Sequence, residues 1–82
     1  MNLYHLPVIG KRLGHARRME GRATVCRLVA SGYHPTWVLR YAEGHWDACR
    51  KHARVRDMYE AQGMVEMARE LCKRAEWRRR RW

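Results

Sequence analysis

Two prolines and six glycines punctuate the 82 residues, and their positions limit how far any regular element can run. Pro7 and Pro35 lack a backbone donor and have a fixed φ, so each suits a helix's first turn or an irregular stretch. Gly21, Gly32, Gly44 and Gly63 each weaken a helix interior by roughly 0.5–1 kcal/mol relative to alanine and favour a C-terminal stop. Between these points apolar side chains recur at steps of three and four, the period of an α-helix. A chain punctuated in this way is expected to be all-α, a small bundle of four or five helices.

The first ten residues, with Pro7 and Gly10 and no helical period, read as an extended arm whose Leu3, Tyr4, Leu6, Val8 and Ile9 lie on the core. Residues 11–44 then hold short helices. Lys11 to Met19 forms one despite Gly14, and Ala23 to Ser31 forms another, with Val25, Leu28 and Val29 on one face and Gly32 as its stop. A third begins at Pro35 and Thr36, turns Trp37, Val38 and Tyr41 largely inward, and ends at Gly44. From His45 to Gln62, the residues His45, Ala48, Cys49, His52, Val55 and Tyr59 share a stripe, with Arg50, Arg54 and Asp57 outside it. Gly63 is expected to break this helix, and Met64, Met67, Ala68, Leu71 and Ala75 make a second stripe, so residues 45–82 read as a C-terminal helical hairpin. All 82 residues form one domain, since this length supports a single modest core.

Eighteen lysines and arginines, fifteen of them arginine, oppose eight acids, for a net charge of +10. Residues 1–35 carry +5, residues 36–68 are neutral and residues 69–82 carry +5, so the charge sits at the two ends. Arginine's planar fork suits phosphate and carboxylate partners. At 46% hydrophobic residues the chain can fold, and no apolar run is long enough to span a membrane, so a cytoplasmic protein without a membrane partner is expected. Cys26, Cys49 and Cys72 are an odd set without a CxxC pair, which argues for reduced, buried thiols over a disulfide framework.

Residues 22–43 resemble the helix-turn-helix of DNA-binding proteins, with Gly32 at the turn and Val38, six residues on, at the buried position of the second helix. The resemblance implies a second helix in the major groove, and here it would present Thr36, Arg40 and Glu43 as its polar groups. Residues 56–75 resemble a tetratricopeptide-type helical hairpin through Tyr59, Gly63, Ala68 and Ala75. His45, Cys49 and His52 share a helix face at ligand spacing, yet the same face carries Ala48, Val55 and Tyr59. A core with partly buried histidines explains it, and neither metal nor other cofactor is expected. Asp47, Asp57, Glu60 and the histidines form no set of nucleophile, base and orienting group, so no enzyme activity is expected.

What remains is binding by charge. The expectation is a small basic nucleic-acid-binding module that contacts phosphates through Lys11, Arg12, Arg17, Arg18 and Arg40 and through Lys73, Arg74, Arg78, Arg79, Arg80 and Arg81. Trp77, among the C-terminal cations, would stack on a base or anchor a protein. The partner is therefore DNA or RNA, or, as an alternative, an acidic protein surface met by a small phage- or plasmid-type regulator or inhibitor.

Overall fold

Pro7 opens a helix, where its fixed φ suits the first turn and its missing N–H has no partner to lose. The computed structural model describes residues 7–52 and 54–81, and the surroundings of side chains 12–52 and 54–76. Of the expected arm, residues 7–10 belong to this helix, and residues 1–6 lie outside the described residues. Among the described residues the chain is all-α without a strand: α1 is Pro7–Ala30, α2 is Pro35–Lys51 and α3 is Val55–Arg81. Three long helices thus replace the expected four or five short ones.

The glycines explain the difference. Gly21 and Gly63 lie inside α1 and α3 where the two backbones meet. A Cβ on Gly21 would collide with the Glu60 carbonyl oxygen, and one on Gly63 with that of Arg18. The close packing these notches permit offsets the intrinsic helix cost of glycine, so neither position breaks its helix. A Cβ on Gly14 would lie 2.7 Å from the Tyr59 ring, so it too is a packing position. Gly44 touches nothing within 4 Å of where a Cβ would stand, and α2 continues through it because Ala42 and Cys49 on either side are buried.

Gly32 does stop α1. Its φ of 108° lets the chain turn back, with the Gly32 N–H donating to the Val29 carbonyl at 3.1 Å and the Tyr33 N–H to that of Leu28 at 3.2 Å. This pair of bonds is the Schellman arrangement, which satisfies carbonyls left over at a helix end. Three residues after Gly32, α2 starts as its sequence predicts: Pro35 occupies the first turn and the His34 side chain accepts from the Thr36 N–H at 3.1 Å.

The expected helix over 45–62 is divided, and the break falls between Lys51 and Val55 instead of at Gly63. The His52 N–H donates to the Ala48 carbonyl, and the Arg54 N–H to that of Cys49 at 3.0 Å. Extending the buried row Val38, Ala42 and Cys49 by two more turns would bring Arg56 onto it, so the apolar row runs out here. A new row then begins with the buried Ala61, Met64, Val65 and Ala68. The hairpin is α2 with α3, and the expected second stripe keeps Met64, Met67 and Ala68 buried while Ala75 is exposed.

Both α1 and α2 pack along α3 and scarcely touch each other. The core joins Val25 of α1, Val38 and Ala42 of α2, and Met64, Val65, Met67 and Ala68 of α3, with Leu28, Val29, Leu39, Trp46 and Leu71 against it. Gly14 meets Tyr59 and Arg22 reaches Glu70, so numbers rise together and α1 runs parallel to α3. One end of the molecule therefore gathers the close of α1, the start of α2 and the last turns of α3, where His34 and Thr36 lie beside Cys72 and Glu76.

Candidate functional site

The N-terminal arginines divide according to whether the fold uses them. Arg22 reaches across to α3, where Nη2 donates to both Glu70 oxygens at 2.9 and 3.0 Å and Nη1 to Glu66 at 3.4 Å. The hydrogen bond to Glu70 raises the Arg22 guanidinium further above its ordinary value. Arg18 Nε stands 3.7 Å from the Glu66 carboxylate and is itself buried, and Gln62 donates to the same carboxylate at 3.3 Å. Arg17 pairs with Glu20 at 2.9 Å within α1. These three arginines tie helices together or balance a neighbour, and their charge is partly compensated.

Arg12, Arg27, Arg40, Arg69, Lys73 and Arg74 are exposed, as are Arg50, Lys51, Arg54 and Arg56 where α2 ends and α3 begins. Lys11, Trp77 and Arg78 to Arg81 belong to helices by their backbones, and their side chains lie outside the described ones. The parallel run of α1 and α3 places Arg12 level with the start of α3, on the order of 20 Å along the axis from Lys73. Lys11 and Arg12 therefore do not join the C-terminal cations in one cluster. Arg27, at the close of α1, shares its end of the molecule with Lys73 and Arg74.

Thr36, Arg40 and Glu43 are exposed on α2 and Val38 is fully buried. Trp37 and Tyr41, expected inward, are turned out instead, because only one row of α2 can face α3 and the row Val38, Ala42 and Cys49 occupies it. With Tyr33 and His45 they form a row at four-residue steps. Neighbouring ring centroids are 5.1, 5.8 and 6.3 Å apart and the planes lie within 21° of parallel. Tyr33, Trp37 and Tyr41 remain 48, 51 and 53% exposed. The signal was the spacing of residues 33, 37, 41 and 45.

The row walls one side of a groove of about 390 Å³ over α3. Thr24 and Leu28 of α1 form the other side, and Glu60 and Met64 the floor. Arg27 Nη2 donates to Thr24 Oγ1 at 3.1 Å, which holds a guanidinium on the α1 rim.

The thiols and imidazoles are dispersed. Cys49 is buried with its Sγ 3.9 Å from the His45 ring, while His52 is exposed at the end of α2. Among the described residues no three histidines, cysteines or acids come together as a metal site. Burial pushes the Cys49 thiol up, aided by Asp57. Cys26 is exposed and Cys72 half-buried, so only Cys49 meets the expectation of a buried cysteine. No described helix is long and apolar enough to cross a membrane.

These features define the class as far as geometry can: a basic three-helix chain with an exposed aromatic row beside a groove. No protein-family model matches the chain, and no curated protein or solved structure matches it either.

Proposed function

We propose that this chain is a small basic nucleic-acid-binding module that holds phosphates through exposed arginines and lysines. The observation that carries this reading is the distribution of charge after internal pairing. Glu20, Glu66 and Glu70 engage Arg17, Arg18 and Arg22, while Arg27, Arg40, Arg69, Lys73 and Arg74, and at the opposite end Arg12, Arg50, Lys51, Arg54 and Arg56, stay exposed on a chain of net charge +10. Exposed cations in that excess attract a polyanion and release its counterions on binding. Arginine adds a planar fork that meets two phosphate oxygens at once. α2 presents few polar groups that could read base edges, so binding depends weakly on sequence.

The test is binding of labelled DNA and RNA measured by anisotropy across a salt series. Affinity is expected to fall by at least about a thousandfold between roughly 50 and 200 mM salt, as for a protein covering several phosphates. Absence of salt-sensitive binding to DNA and RNA alike overturns the reading and turns attention to an acidic protein surface as the partner of the same cations.

A further inference from the structure

We propose that the row Tyr33, Trp37, Tyr41 and His45 is a stacking site for unpaired bases, making single-stranded nucleic acid the preferred ligand; this rests on the nucleic-acid reading above. Large apolar side chains left in water contribute little to stability, so their concentration in one place asks for an occupant. Tyr33, Trp37 and Tyr41 are three of the four exposed large hydrophobic residues among the described ones, and they lie in a single row. Their rings are already near parallel, those of Trp37 and Tyr41 one turn apart on α2 and that of Tyr33 just before its start.

The gaps between the rings fall short of what an inserted base needs. Stacked bases rise by about 3.4 Å, so one base between two rings needs roughly 7 Å. The Trp37–Tyr41 and Tyr41–His45 centroids stand at 5.8 and 6.3 Å, so a base enters only as the half-exposed Trp37 and Tyr41 rings turn outward about their side-chain bonds. The outer face of Tyr33 is a further platform at the end of the row.

Charge at the rim and shape select the strand, since the charged side chain on the groove floor, Glu60, is acidic and directs phosphates outward. Arg27 stands on the opposite rim through its bond to Thr24, and exposed Arg40 lies three residues from Trp37, a neighbouring position on the helix surface. Phosphates linking the stacked bases would meet these cations. A groove of about 390 Å³ has room for a base and its sugar, whereas bases inside a duplex are paired and stacked out of reach. An acidic peptide would satisfy the arginines but would leave the parallel rings without a matching planar partner.

The experiment compares a labelled single strand of about 12 nucleotides with a duplex of the same sequence, at constant low salt. The single strand is expected to bind at least about tenfold more tightly. Trp37→Leu and Tyr41→Leu keep apolar bulk and helix propensity and remove the ring faces. Each is expected to weaken single-strand binding by roughly five- to a hundredfold, with duplex binding within about twofold and helical circular dichroism unchanged. Trp37→Phe should retain most of the affinity. Folded leucine variants that bind single strands like the parent overturn the stacking site, and salt-sensitive binding to both forms would then leave the nucleic-acid reading standing. Binding to neither form overturns both.

Discussion

Adding one methyl group separates the glycines of this chain into two kinds. At Gly21 and Gly63 it meets the carbonyl oxygens of Glu60 and Arg18, and α1 and α3 must move apart to admit it. Gly21→Ala and Gly63→Ala are each expected to destabilise the fold by about 1–3 kcal/mol, the usual cost of overpacking. Gly44→Ala has open space around it and should stabilise by roughly 0.5–1 kcal/mol, since alanine forms helix more readily. Urea unfolding of the three variants checks the contrast, and equal effects at all three positions would refute the notch. Gly32 was legible as a stop because the bonds that close a helix involve residues within five positions of one another. Gly21 and Gly63 were not, because what faces each lies some forty residues away in the chain. The cysteines divide by burial in the same way. With its thiol raised by burial, Cys49 should stay protonated and react slowly with a maleimide near neutral pH, while exposed Cys26 reacts first. Peptide mapping of the labelled chain reads the order.

At the level of the element, sequence period shows that a helix exists more readily than which of its rows is buried. The start of α2 at Pro35 and the buried Val38 were legible, since a first-turn proline and a local apolar spacing mark them. The two rows of α2 were not ranked by their apolar character. Trp37 and Tyr41 are the larger groups, yet the smaller Val38 and Ala42 face α3, where they allow the helices to approach closely. The sequence between Lys51 and Val55 carries neither glycine nor proline, so only the arrival of Arg56 on the apolar row announced the break between α2 and α3. The bond between α1 and α3 has its own test. Arg22→Met and Glu70→Gln, alone and together, should show a coupling of about 1 kcal/mol that weakens as salt rises, because Nη2 donates to both carboxylate oxygens but the pair is partly exposed. Independent effects of the two substitutions would mean that the pair contributes nothing beyond its separate parts.

For the molecule as a whole, the sequence located positive charge at both ends of the chain, and the fold decides which of those ends meet. Because α1 runs parallel to α3, Arg12 lies near the start of α3 while Arg27 lies near its last turns, so one stretch of basic sequence is shared between opposite ends of the molecule. The aromatic row begins at the latter end, with Tyr33 just past the close of α1. If phosphates and bases are held together there, equal reductions of charge should have unequal effects. Lys73→Ala with Arg74→Ala should reduce nucleic-acid affinity by about tenfold and lower the salt slope by roughly 0.7–0.9 for each phosphate no longer neutralised. Arg12→Ala with Arg56→Ala removes the same charge from the other end and should cost less than about twofold, acting only through the long-range field, which salt screens beyond roughly 10 Å. Equal effects of the two double variants would mean that the polyanion responds to net charge alone, and that the gathering of cations beside the row has no part in binding.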